Sequence, residues 1–275
     1  MLGNQPFDEL YDRFLVQSSA AYRAEIGDPI HLDADRFAEL LTRLKNFRDI
    51  YPNMAFWLVI SYKTLGISHS EGDNVVFGYK MESLRDFFRQ IHPDYVIPYL
   101  RWRGAAYELI HGQNVILNPL EAIYRQTIPL RAQDNHYYWF AMNSTVIQVD
   151  AGGRIVTNLQ TFYREGKWSH RNLRPFEAGV QIKNISDFNL EDRLIAQLSL
   201  YLIDEFTNAE LDLLSLYASG KTVEDILEAR NWSRNTLHEY NANLLKKAKS
   251  LFVYDFRNAR DFAEYCQEKG FIHKR

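Results

Sequence analysis

Apolar positions recur every three or four residues near both ends of the chain and form strand-like runs between, so the pattern predicts helices flanking a sheet. Phe7, Leu10, Tyr11, Phe14 and Leu15 mark a first helix. Phe37, Leu40, Leu41, Leu44 and Phe47 mark a second, with Asp33 and Asp35 as start signals. Strands are expected at 55–61 and 65–69, joined by Lys63-Thr64. A helical stretch follows through Val76-Phe77-Gly78-Tyr79 to Leu84, Phe87, Phe88 and Ile91. His92-Pro93-Asp94 breaks it, because Pro93 biases His92 away from the helical region, and Asp94 is placed to cap the next helix, 95–111. Gly112 stops that helix. Strands are then expected at 124–132, 137–149 and 154–164. Asp150-Ala151-Gly152-Gly153 turns the last pair as a hairpin. These elements make an open five-stranded α+β unit.

From Phe206 the pattern is helical throughout. Thr207 and Glu210 have capping-box spacing. Leu211, Leu214 and Ala218 share a face that Leu213 and Leu216 widen, and Gly220 falls where a glycine ends a helix. A short helix is expected at 222–230, with Val223, Ile226 and Leu227 inward. Asn231-Trp232-Ser233 forms a turn, and Ser233 caps a longer helix at 234–251. Its inward stripe is Leu237, Tyr240, Leu244, Ala248 and Leu251. Its outward face carries Arg234, Asn235, His238, Glu239, Ala242, Lys246 and Lys249. A short helix, a tight turn and a longer polar-faced helix is an arrangement that enters the major groove of DNA.

The C-terminal quarter resembles the DNA-binding domain of LuxR/GerE-type regulators. Phe206-Thr207 with Glu210, and Gly220 with Val223 and Ile226, resemble the family's first two helices. Trp232-Ser233, Thr236-Leu237, Tyr240, Asn243-Leu244 and Lys247-Ala248 resemble its turn and third helix. Ala259, Ala263 and Lys269-Gly270-Phe271-Ile272 resemble its fourth. Tyr240 stands where the family usually has histidine, and Ala242 where a cation often contacts DNA. The resemblance implies base contacts from Asn235, His238, Glu239 and Ala242, and phosphate contacts from Arg234, Thr236, Lys246 and Lys247. Residues 52–165 resemble a PAS domain, on Phe77-Gly78-Tyr79, Ile91-His92-Pro93-Asp94 and the order of the elements. The fold expected is therefore α+β: a PAS-like five-stranded antiparallel sheet with helices, plus an all-α helix-turn-helix domain. The expected division is N-terminal helices at 1–51, the PAS-like sensor at 52–165, a connector at 166–205 and the DNA-binding domain at 206–275. Gly166, Pro175 and Gly179 make the connector irregular, and Leu190, Leu194, Leu198, Tyr201 and Leu202 suggest a helix at its end.

Charge narrows the picture. The 275 residues carry a formal net charge of −3, so the chain has no bulk basic footprint. Residues 206–275 hold 11 Lys and Arg against 10 Asp and Glu, and the positive charge gathers at Lys246, Lys247 and Lys249. Phosphate binding then needs backbone N–H groups, hydroxyls and amides as well, and a homodimer doubles the contacts. A lone cysteine, Cys266, excludes an intrachain disulfide and a multi-cysteine metal site. No apolar run is long enough to span a membrane, and the acidic N-terminus with Asp8, Glu9 and Asp12 is unlike a signal peptide. The expectation is a cytoplasmic protein.

No glycine-rich phosphate loop, metal-spaced cluster or nucleophile elbow is present, so no enzyme is expected. PAS domains hold haem, flavin or a small metabolite, and the resemblance allows a small-molecule ligand in the cavity. For haem the one candidate ligand is His111, whose helix-end position suits a solvated, dipole-stabilised histidine better. A flavin–cysteine adduct is excluded, because Cys266 lies outside the sheet region. No cofactor is therefore expected. The function expected is a one-component transcriptional regulator that senses through the PAS-like domain and binds double-stranded DNA. Two alternatives stand beside it: a protein-interaction module whose helix-turn-helix does not bind DNA, and a sensor acting only through partner proteins.

Overall fold

A computed structural model describes residues 11–12, 25–30, 34–112, 119–120, 122–169, 173, 175–176, 178–182 and 205–272. The described residues form two compact units. The first runs to 169 and includes 178–182; the second holds 205–272 together with Leu173, Pro175 and Phe176. The first expected helix, apart from Tyr11, and the connector helix from Leu190 to Leu202 lie outside the described residues.

The first unit is built on β1 (Met54–Ser61), β2 (Gly66–Glu71), β3 (Ala122–Arg131), β4 (Tyr137–Val149), β5 (Ile155–Lys167) and β6 (Ala178–Ile182). The strands form one antiparallel sheet in the order β2-β1-β5-β4-β3-β6. The sixth strand corrects the expected five. Gly179 had marked its segment as irregular, yet 178–182 pairs with 122–126 of β3. A glycine between short neighbours weakens a strand signal, and the exposed edge of β3 supplies the partner that sequence pattern does not show.

Both faces of this sheet are covered. Helix α1 (Ala34–Ile50) lays Phe37, Leu40, Leu41 and Leu44 on a cluster of Met54, Trp57, Val59, Ile147 and Leu159. Its apolar stripe therefore finds its partner within the chain. Met54 shares a face with Trp57 and Val59 because the β1–β5 register shifts between Met54 and Phe56. On the other face Phe56 and Phe162 stack at 4.2 Å with planes 7° apart, and Phe77, Phe87 and Phe140 adjoin this pair edge-on or tilted. Phe56, Phe87, Phe140 and Phe162 are fully buried, and each such side chain stabilises the fold by about 2–3 kcal/mol.

Short helices α2 (Asp73–Phe77) and α3 (Leu84–Phe88) replace the single stretch expected there. Gly78, at φ +80°, ends the first, and Ser83 with Asp86 forms a capping box that starts the second. Gly72 precedes α2 at φ +85°. A Cβ there would meet the Ala55 carbonyl oxygen at 2.4 Å, so the β2–α2 corner requires glycine. The long helix α4 runs Pro93–Gly112 and begins two residues earlier than expected. Pro93 takes the first helical position, where its missing N–H costs nothing. The cap position falls to His92, whose Nδ1 accepts the Asp94 N–H at 3.3 Å, so Asp94 is capped rather than capping. Tyr95, Tyr99 and Trp102 bury themselves from this helix.

Among its described residues the second unit has four helices: α5 (Asn208–Ala218), α6 (Val223–Arg230), α7 (Arg234–Phe252) and α8 (Ala259–Glu268). Leu213, Leu214, Ile226, Leu237, Leu244, Ala248, Leu251, Phe252, Phe262, Ala263 and Cys266 are buried. The Phe176 N–H donates to the Phe252 carbonyl at 2.6 Å, tying that segment to the end of α7. Val223 departs from the expected inward face of α6. It is 38% exposed, whereas Ile226 is fully buried.

Candidate nucleic-acid interface

Each helix around the turn starts at a capped end. Thr207 and Glu210 form the expected capping box on α5. Thr222 and Asp225 form another on α6, the Asp225 carboxylate accepting the Thr222 N–H at 2.9 Å. Two boxes of that kind satisfy N–H groups that the first turns of α5 and α6 would otherwise leave free. Gly220 follows α5 at φ +80° and lets the Lys221 N–H return to the Leu216 carbonyl at 3.1 Å. Asn231 closes α6 at φ 52°, and the Trp232 N–H returns to the Leu227 carbonyl at 3.0 Å. Ser233 then caps α7 by accepting the Thr236 N–H at 3.1 Å. Trp232 stacks on Tyr240 at 4.3 Å with planes 3° apart. Tyr240, expected in the inward stripe, is half-buried and serves the turn rather than the core.

The exposed side of α7 carries Arg234, Asn235, His238, Glu239, Ala242, Asn243, Lys246 and Lys249. Asn243 was not among the expected contact residues. Its position, four residues after Glu239, puts it beside that residue on the helix surface. Thr236 is half-buried, its hydroxyl 2.9 Å from that of Ser233.

Lys247 stands apart from the row. Its Nζ lies 2.6 Å from the Glu210 carboxylate and donates to the Glu205 carbonyl at 2.9 Å. Glu210 is only 3% exposed. Burial works against its ionisation, but hydrogen bonds from Lys247 and Thr207 outweigh it and hold the carboxyl below its ordinary range. The Lys247–Glu210 pair therefore clamps α7 to the start of α5. Helical geometry carries the reason: Lys247 is one step of about 100° beyond Lys246, off the exposed row and onto its flank.

The remaining cations divide the same way. Arg234 pairs with Glu224 at 3.2 Å and Lys249 with Asp255 at 2.7 Å, both at exposed positions where such pairs are weak. Among the described residues of α7, Lys246 is the cation without an ion pair. Arg230 pairs with Asp212 at 2.8 Å, joining α6 to α5, and Tyr217 donates to Asn241 at 3.0 Å, joining α5 to α7. The scaffold behind the exposed row is thus fastened at several points.

Among the described residues, no group of three or more His, Cys, Asp or Glu side chains is placed to hold a metal ion. No described helix is long and apolar enough to cross a membrane. The His111 side chain lies outside the described residues.

No family model and no curated protein matches the chain. Solved structures do resemble it. One is the Vibrio cholerae VqmA–ligand–DNA complex, at 15% identity over 84% of this chain and 89% of that chain, with a TM-score of 0.29. Another is the Vibrio cholerae VqmA dimer in the absence of target DNA, described as a LuxR-type receptor, at 14% identity over 86% and 91%, with a TM-score of 0.28. A third is the N-terminal domain of a diguanylate cyclase with PAS/PAC sensor from Marinobacter aquaeolei, at 15% identity over 40% of this chain and 93% of that one, with a TM-score of 0.27. Likeness at this level assigns neither ligand nor operator to the chain.

Proposed function

We propose that the chain is a transcriptional regulator whose α6–turn–α7 segment binds double-stranded DNA and whose sheet unit is a PAS-like sensor. One observation carries the reading: an exposed row of Asn235, His238, Glu239, Ala242 and Lys246 on a helix whose opposite stripe is buried and whose start is capped and turn-locked. Such a helix offers side chains to base edges from a rigid support. Asn235 suits adenine and Glu239 suits the amino group of cytosine, while the methyl of Ala242 suits thymine. Arg234, Thr236 and Lys246 serve the phosphates. Lys247 belongs to the support, so of the two lysines Lys246 alone keeps the expected phosphate role. The role is binding, not catalysis, and a homodimer supplies the charge that one near-neutral module lacks.

Fluorescence anisotropy with duplex DNA tests this. Binding should strengthen as salt falls, and Lys246→Ala should lower affinity for all sequences. The variant should also flatten the log–log salt slope by about 0.9 per bound subunit, the value for one phosphate contact each. Absence of binding at low salt would remove the proposal. It would favour a protein-interaction module, a second reading supported by Glu239 on the exposed row and by the acidic partners of Arg234 and Lys249.

A further inference from the structure

Two aromatic residues stand at the start of α7 outside its exposed row. The Trp232 backbone is fixed from the α6 side, where Asn231 takes φ 52° and the Trp232 N–H returns to the Leu227 carbonyl at 3.0 Å. Ser233 fixes the α7 side. Its hydroxyl accepts the Thr236 N–H at 3.1 Å, and its carbonyl accepts the Leu237 N–H at 3.1 Å. Trp232 is therefore the residue just before the cap. A side chain there ordinarily packs on the fourth helical residue, which is Leu237. Trp232 reaches three residues further along α7, and its ring lies flat on Tyr240 at 4.3 Å with planes 3° apart. Both residues are half-buried, so filling the core does not account for the pair. What the stack does is join the turn to the second turn of the helix it precedes.

Resting on the reading of α7 as the helix that meets DNA, we infer that the Trp232–Tyr240 stack is a brace that sets sequence discrimination, acting through Asn235, His238 and Glu239 without touching the bases. Tyr240 follows Asn235 by five residues, about 140° round the helix, so it faces away from a groove that receives the row. Lys247 lies seven residues beyond Tyr240 and nearly in line with it. There the Lys247–Glu210 pair, at 2.6 Å, clamps the far part of the same flank. With one flank fastened at two heights, α7 resists turning about its own axis. Such a turn moves Asn235, His238 and Glu239 away from base edges, whose hydrogen bonds demand a fixed direction. Phosphate contacts from long, mobile side chains tolerate it and carry no sequence information. Trp232 and Tyr240 are thus positioning residues for discrimination and not for affinity at large. The stack favours the ordered arrangement by no more than its own free energy, so its loss lowers discrimination by about threefold to tenfold.

The test is anisotropy titration of the full chain on two duplexes of equal length, one recovered by the parent chain from a randomised pool and one of scrambled sequence. Tyr240→Leu and Trp232→Leu keep apolar bulk and remove the stack. Each should lower the ratio of the two affinities by about threefold to tenfold, leaving scrambled-duplex affinity and salt slope unchanged. The double variant should lose no more than either single one, because both remove the same contact. Tyr240→Phe keeps the ring and should keep the ratio, which separates stacking from a hydroxyl contact with DNA. Circular dichroism confirms folding, and Trp232→Leu, which alters the turn alone, serves if Tyr240→Leu does not fold. An unchanged ratio in the folded single variants overturns the inference. So do additive losses in the double variant, a ratio lost equally in Tyr240→Phe, and equal weakening on both duplexes, the mark of a merely structural role. A parent that binds duplex but recovers no preferred sequence removes the inference alone; a parent that binds no duplex at low salt removes the regulator reading and the inference with it.

Discussion

Lys246 and Lys247 are adjacent in sequence and opposite in role, and the difference is measurable. Lys247 neutralises a buried carboxylate, so Lys247→Met strands Glu210 without its partner. Breaking such a pair destabilises by about 3 kcal/mol, at the low end of the range because Lys247 is itself one-third exposed. Lys246→Ala, on an exposed position, should change stability by less than about 0.5 kcal/mol. Urea unfolding of the two variants checks the contrast; equal midpoints would show that the clamp is not formed. The same pair sets an acid limit. The Glu210 carboxyl titrates below its ordinary 4.5 in the folded chain. Its contribution is therefore present in full above that value and is lost as pH falls through the depressed one. Stability should decline from about pH 5 downward, and Glu210→Gln should flatten that decline while lowering the plateau. A Glu210→Gln profile parallel to that of the parent would assign the acid limit elsewhere.

Caps and turns decide where the helices begin and end, and these were the most legible features of the sequence. Thr207 with Glu210, Gly220 and Ser233 all act as their spacing predicts, because a capping signal is local and needs nothing from the rest of the fold. Thr222→Ala should cost about 1 kcal/mol by removing the oxygen that accepts the Asp225 N–H at 3.1 Å. Calorimetry checks this, and an unchanged Tm would mean that water replaces the cap. What the sequence hid was non-local. β6 depends on the free edge of β3, and the difference in role between Lys246 and Lys247 depends on a carboxylate 37 residues from Lys247. Cys266 on α8 is 2% exposed and burial pushes its thiol up, so it should stay inert to a disulfide reagent until the chain unfolds. Rapid labelling of the folded protein would contradict that burial.

For the molecule as a whole, the governing quantity is charge. The net charge of −3 opposes approach to DNA, and 11 cations against 10 anions in residues 206–275 leave a single module with few phosphate contacts. Exposed side chains on α7 can discriminate between bases only once phosphate contacts have positioned them, and the few cations of one module position poorly. Two copies double the contacts and multiply their effect, because the second module binds at a raised effective concentration. A two-fold dimer presents its α7 helices to two half-sites about 34 Å apart, one turn of the duplex. Affinity should therefore depend on half-site spacing with the period of the helix. Inserting about 5 bp between half-sites turns one of them to the opposite face and should reduce affinity to that of a single site, while about 10 bp should partly restore it. Anisotropy titrations on such a spacing series decide the matter. A smooth dependence on spacing would mean that the chain meets DNA as a monomer, and Lys246→Ala would then abolish binding rather than weaken it.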